Sequence, residues 1–328
     1  MSASSSSNNE DLLRMSINTA LATIEKHAPE KDRALLRAML QFAPTDNGKS
    51  IIAGHILQAF DSKSVSKLGE LANSYWTTII VPIRSAGGKT PAPSQNPSRG
   101  DPHGGETPFN VESAKRNQAY LKKHTLARDN YTCLATGRVD YQVFDVIPNF
   151  VADLSKLDVT QACHIIPFSL NDFDTKDQSD VDQKTAIWTA LQAFCGKDIS
   201  ALRGVGINSL DNVMTLCPMA HKFFGELQLA FEAVPDTANK YKLLTFGKVA
   251  PRLGFPETVT LKSNTSAPVP SPFYLALHCA ICKVLWASGR AEALEALLEE
   301  WEDTTVLAKD GSSAQLLDLA IFRSINVC

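Results

Sequence analysis

Two histidines and an asparagine carry the chemistry most legible in this sequence. His164 lies in the apolar run QACHIIPF, and His221 lies in SLDNVMTLCPMAHKFF, which also holds Asn212. The span from Asn212 to His221 fits one short strand, a tight turn and the first turn of a helix, which brings His221 back toward the strand carrying His164. Imidazole titrates near neutral pH, so His164 suits the deprotonation of a water. His221 suits nitrogen ligation of a divalent cation, and an oxygen-preferring Mg²⁺ would keep most of its shell as water and phosphate oxygens. A base and a cation placed this way serve phosphodiester hydrolysis. Asn212 is expected to bridge backbone groups that fix the loop carrying His164.

Each of these residues also has a plainer reading. A histidine in an apolar strand is commonly a satisfied core residue, a histidine on a short helix commonly faces water, and an asparagine ahead of a strand commonly serves a turn. It is the three together, at this spacing, that favour a hydrolytic site. Around them, Arg128, Lys222, Lys122 and Lys123 are candidates for phosphate contact, against the alternative of solvated side chains. Two other patterns are set aside. GGKT after TTIIVPIRSA lacks the first glycine of a phosphate-binding loop and runs into PAPSQNPS, which cannot start the required helix. Cys279-Ala-Ile-Cys282 sits in the apolar helix YLALHCAICKVLW without a second cysteine pair, so core packing is expected.

The elements that position the site follow from pattern. Residues 1–10 are Ser- and Asn-rich and are expected to be a disordered tail. Apolar residues then recur at helical spacing through residues 11–84. Gly and Pro punctuate residues 85–110 as a linker or arm, and VESAKRNQAYLKKHTLARDN follows as the most basic helix. Residues 130–260 mix strand-like runs (VTQACHII, NVMTLC, LQLAFEAV, KYKLLTF) with helices, and VPDTANKYK suggests a hairpin. Residues 272–328 return to helical spacing.

The whole chain narrows the field. It has 328 residues, 44% of them hydrophobic, which is enough for a real core. A formal charge of −3 argues against coating nucleic acid by bulk charge, so contact must come from a local patch. The seven cysteines are an odd number in a chain with no signal-peptide pattern, which fits reduced thiols. No run approaches the roughly 20 apolar residues that cross a bilayer. An intracellular protein, cytoplasmic or nuclear and without a membrane partner, is expected.

Arg128, Cys133, Thr136, Gly137, His164, Ile165, Pro167, Asn212 and His221 stand at the positions of a family pattern: Arg, Cys-x-x-Thr-Gly, His-Ile-x-Pro, Asn and His. In this the chain resembles the HNH endonucleases, and within them a fungal-type group, over roughly residues 112 to 235. The resemblance implies an α+β fold, a ββα-metal finger core flanked by helical N- and C-terminal regions. It places the nuclease domain at 111–262, with an acidic insertion at about 170–208. It implies a metal-dependent endonuclease with His164 as general base, Asn212 holding the loop and His221 as metal ligand. Mg²⁺ or Mn²⁺ would be the cofactor, nucleic acid the partner (DNA ahead of RNA), and 5′-phosphate and 3′-hydroxyl ends the products.

The departures matter too. Many relatives carry an Asp just before the base as a second metal ligand, and here that position is Cys163, a candidate ligand but a soft thiol poorly suited to Mg²⁺: either His221 holds the metal with water and phosphate, the favoured reading, or the site prefers a softer ion, or Cys163 simply packs and the enzyme is weak. Some clamp the finger with zinc between two C-x-x-C knuckles. Here these read Cys133-Leu-Ala-Thr136 and Cys217-Pro-Met-Ala220, so no structural zinc is expected. The alternative reading is a catalytically degenerate HNH fold that binds nucleic acid or protein as a regulatory module. Convergence of His164 and His221 on one solvent-reachable cleft is the structural requirement of the hydrolase.

Overall fold

The computed structural model describes residues 3–61, 66–87, 118–147, 149–151, 153–171 and 176–303. In chain order its α-helices of six or more residues are α1 (Ala3–His27), α2 (Glu30–Phe42), α3 (Asp46–Asp61), α4 (Ser66–Tyr75), α5 (Val81–Ala86), α6 (Gln118–Arg128), α7 (Gln178–Cys195), α8 (Pro218–Gly225), α9 (Pro272–Ala287) and α10 (Ala291–Asp303). Its strands are β1 (Val139–Asp140), β2 (Leu157–Asp158), β3 (Gln161–His164), β4 (Val213–Leu216), β5 (Leu229–Ala233), β6 (Lys240–Thr245) and β7 (Thr258–Thr260). The architecture is α+β. The chain divides into two compact units, one drawn from residues 1–85, 173–198 and 280–328, the other from 86–172 and 199–279.

The first unit is helical and is built from three separate stretches of chain. Ile24, Leu35, Leu36, Met39, Ile52 and Ile56 are fully buried, at the helical spacing the sequence shows. Arg84 pairs with Glu295 at 2.8 Å and Arg290 with Asp32 at 2.6 Å, which ties α10 to the N-terminal helices. Thr45 Oγ1 donates to Cys195 O at 2.7 Å and Asn47 Nδ2 to Gly196 O at 2.7 Å, so the end of α7 docks at the start of α3. The expected insertion at about 170–208 is therefore divided: α7 packs in the helical unit, and residues 199–208 stay with the nuclease-like one.

One local reading changes. α1 begins at Ala3, inside the segment expected to be a disordered tail, because the helical backbone of the apolar-patterned stretch continues back through the serines. The β-branched run TTIIVPI is helical, within the stretch expected to be so. Pro82 has no N–H to give, and the chain widens into a π-helical turn at Trp76–Ile80, where Val81 N–H bonds back to Trp76 O. The stretch 88–117, with Lys115, Arg116 and most of the expected arm, and residues 304–328 lie outside the described residues.

In the second unit, β3 and β4 form an antiparallel pair with His164 opposite Val213 and Gln161 opposite Leu216. β5, β6 and β7 form an antiparallel sheet, and the expected hairpin joins β5 to β6, with Ala233 opposite Tyr241. One core packs the strand pair, α8 and this sheet together through Cys163, Met214, Leu216, Phe224, Phe231 and Leu243. α6 covers the strand pair through Leu121, which meets Ala162 and Val213.

Candidate active site

The strand pair and α8 set the two imidazoles. Pairing continues one step beyond His164, where Ile165 N–H donates to Asn212 O at 2.8 Å, and Pro167, lacking an N–H, then turns the chain into the short helix Phe168–Asn171. Asn212 is fully buried and clamps this exit: its Oδ1 accepts from Ile166 N–H at 2.9 Å, and its Nδ2 donates to Ile166 O at 3.0 Å and Ile207 O at 2.9 Å. β4 runs directly into α8, with Pro218 in the first turn, where a missing N–H costs nothing. His221 sits one turn in, its N–H bonded to Cys217 O at 2.8 Å.

His164 and His221 line one cleft together with Ala86, Gly87, Cys163, Pro167, Phe168 and Gly225. The cleft is tight. Its accessible volume is about 20 Å³, room for about one water. His164 is 8% exposed and His221 4%. Both rings thus line one narrow cleft and keep little exposure in this conformation. Gly87 supplies one wall by backbone alone: a Cβ there would lie 2.0 Å from Gly225 O and 2.7 Å from Gly225 Cα.

Each imidazole has one nitrogen committed to a side-chain amide. His164 Nε2 lies 2.8 Å from Asn208 Oδ1, and His221 Nδ1 lies 2.6 Å from Gln161 Oε1. An amide oxygen only accepts, so these two bonds require the proton on Nε2 of His164 and on Nδ1 of His221. Burial pushes both rings down to about 4; at His164 the Asn208 bond works against that shift and the nearby His221 adds to it. Both are neutral at physiological pH, the state a base or a metal ligand requires.

Residues 133–232 match the family model described as HNH endonuclease. This segment is an HNH-family domain. No curated protein and no solved structure matches the chain. At family level the match points to nuclease-type hydrolysis of nucleic acid, and HNH nucleases generally use a divalent metal.

The residues of this HNH domain fit such a metal sparsely. Among the described residues no three His, Cys, Asp or Glu side chains gather into a cluster. His221, with Nδ1 held by Gln161, keeps Nε2 as a ligand lone pair, so a hard cation would take one protein nitrogen and complete its shell with water and substrate oxygens. Cys163 lines the cleft and belongs to the core cluster, 1% exposed. Burial pushes its thiol well above the usual range, and the protonated sulfur packs in the core and donates to His164 O at 3.6 Å.

Arg128 is likewise placed otherwise than expected. It is fully buried, paired with Asp129 at 2.7 Å, and it donates to Val213 O at 2.7 Å and to Leu210 O. Asp129 in turn accepts from Thr215 N–H at 2.8 Å. The guanidinium therefore ties α6 to β4 and is withdrawn from any phosphate. Lys222 is exposed 3.9 Å from Glu226, Lys123 is exposed on α6, and Lys122 is half-buried there.

The two half-knuckles converge. Leu134 N–H bonds to Thr215 O at 2.9 Å, and the turn Cys133–Gly137 closes with Gly137 N–H on Cys133 O at 2.9 Å, where φ of +72° favours glycine. Cys133 is hydrogen-bonded to Cys217, which Thr136 Oγ1 also approaches at 3.8 Å. That thiol–thiol bond lowers the Cys217 thiol and raises that of Cys133. Asn208 and Gln161 escaped the sequence reading. Asn208 ends the segment read as insertion and has no periodicity to mark it, whereas Gln161, on the strand of His164, needed only the strand register and the position of α8.

Proposed function

We propose that the chain is a metal-dependent HNH endonuclease that hydrolyses phosphodiester bonds in nucleic acid, with DNA the first substrate to test. The observation that carries this reading is the meeting of His164 and His221 on one cleft of an HNH domain. With Nε2–H donated to Asn208, His164 keeps its lone pair on Nδ1 and takes the proton of the attacking water there. His221 Nε2 is the protein's contribution to a Mg²⁺ or Mn²⁺ site. The chemistry such a cation supplies when bound is neutralisation of charge on the phosphoryl and leaving oxygens. Asn212 keeps the chain after His164 in register with β4. The cleft has to widen before a phosphodiester enters, and the wall to displace is Ala86–Gly87, whose neighbouring surfaces are backbone.

The test is nicking of supercoiled plasmid by the full chain with Mg²⁺ or Mn²⁺. Wild type nicks, chelator stops it, and His164→Ala drops the rate by roughly 100-fold or more, the share general base catalysis supplies. Unchanged nicking in His164→Ala excludes the mechanism. The tightness of the cleft and the lost Cys163 ligand favour a second reading, a degenerate HNH fold that binds without cutting. Metal-independent, salt-sensitive DNA binding with no cleavage under any metal selects that reading.

A further inference from the structure

The nitrogen left basic on each ring is set by which amide holds the other nitrogen, and the two amides hold different nitrogens. We infer that Asn208 and Gln161 are a matched pair of positioning residues that lock His164 as the Nε2–H tautomer and His221 as the Nδ1–H tautomer, so that one ring offers Nδ1 to water and the other Nε2 to a cation. This deepens the proposed hydrolase and rests on it for the two roles, though not for the tautomers themselves.

Asn208 is well held for such a task. It ends the short helix Gly204–Asn208, and Asn171 Nδ2 donates to Leu202 O at 2.7 Å and to Gly204 O at 3.3 Å at the other end of that helix. Its neighbour Ile207 is held through the Asn212 amide at 2.9 Å. Two further asparagines therefore fix the loop that presents the Asn208 oxygen at 2.8 Å from His164 Nε2. Gln161 needs no such scaffold, because β3 itself supplies it: the residue lies three before His164 on the same strand and reaches α8 directly.

The choice of amides over carboxylates has a physical consequence. A carboxylate at either position would bond to the imidazolium and favour protonation, which removes both the base and the ligand. A neutral oxygen orients the ring and fixes its proton while leaving the burial-driven neutral state in place. The same logic orients ligating histidines through a second hydrogen bond, whose loss typically costs 10–100-fold in metal affinity or activity.

The experiment is long-range ¹⁵N–¹H correlation of the histidine rings in the full-length, metal-free protein, followed by Mn²⁺ titration and plasmid nicking. Wild type should show His164 with a protonated Nε2 and His221 with a protonated Nδ1. Asn208→Ala should mix the His164 tautomers and lower kcat by about 10–100-fold with KM for DNA held, while leaving His221 unchanged. Asn208→Asp keeps the acceptor, so it should restore the Nε2–H tautomer and move the acid limb of the pH–rate profile upward. Gln161→Ala should weaken Mn²⁺ binding by about 10–100-fold and leave the His164 ring alone. A wild-type His164 protonated on Nδ1, or Asn208→Ala and Asn208→Asp equally impaired with the His164 tautomer unmoved, overturns the inference. If the tautomers behave as stated while His164→Ala still nicks plasmid, it is the proposed hydrolase that falls and not the positioning.

Discussion

Single side chains divide here by whether they face the cleft or hold the frame. Asn212 belongs to the frame: with no exposure, its amide satisfies Ile166 N–H, Ile166 O and Ile207 O at once. Asn212→Ala leaves those groups buried and unpaired, and each unsatisfied group costs about 1–3 kcal/mol. Urea titration should show unfolding free energy reduced by roughly 3 kcal/mol; a change under about 0.5 kcal/mol would mean that water takes over the bonds. Arg128 also belongs to the frame. Arg128→Met strands Asp129 inside the unit, and breaking one side of a buried pair costs about 3–5 kcal/mol. Lys123, exposed on the same helix, should respond oppositely. Lys123→Ala should alter stability by less than about 0.5 kcal/mol, and if α6 tracks a phosphate backbone it should lower the salt slope of DNA binding by about 1. A stability loss in Lys123→Ala, or an unchanged slope beside intact binding, removes α6 from the DNA face.

Between elements, the closure of the cleft rests on one close approach, the backbone of Gly87 against that of Gly225 at the end of α8. Gly87→Val cannot keep that seat, since the nearest atoms are backbone and cannot swing away. Carbethoxylation by diethylpyrocarbonate, read by mass spectrometry, should then reach His164 and His221 several-fold faster than in wild type. His278, 2% exposed and stacked on Phe224 at a centroid distance of 3.7 Å, is the internal reference. Equal acceleration at His278 signals loosening of the whole unit, and no acceleration anywhere shows that Ala86–Gly87 does not gate the cleft. The sequence foretold the strand pair and α8 well, because HII and VMTL are short apolar runs and Pro218 marks a helix start. It foretold the hairpin at VPDTANKYK for the same reason. It did not foretell the closure, which depends on a glycine far from the motif meeting a second glycine through backbone alone. Nor did it foretell Arg128 as a core residue, because an arginine at a helix end reads as solvated until the carbonyls of Leu210, Val213 and Pro268 and the Asp129 carboxylate are known to surround it. The site's chemistry was legible in residue types; its wiring through Asn208 and Gln161 lay in loop geometry that no periodicity records.

For the molecule as a whole, acid sensitivity should follow from how many imidazoles the second unit keeps neutral. Burial pushes His164 and His221 to about 4 and His278 to about 3; at His278 the bond to Phe224 O, 3.1 Å from Nε2, works the other way. In the unfolded chain each of these groups titrates near 6.5. Above that pH neither state holds the extra proton and the full stability is present. As pH falls below 6.5 the unfolded state takes up protons that the folded state refuses until about 4 or lower, so stability declines across that window. Between pH 6.5 and 5, above the ordinary carboxylate range, each such histidine removes roughly 2 kcal/mol. Urea unfolding at pH 7, 6 and 5 should therefore show a steep loss. His278→Phe keeps an aromatic ring against Phe224 and deletes one titrating group that is not a proposed ligand, so its pH slope should be shallower by about a third of the histidine share. A variant slope equal to that of wild type would mean that His278 takes up its proton in the folded state, and the neutral-core account of this unit would have to be abandoned.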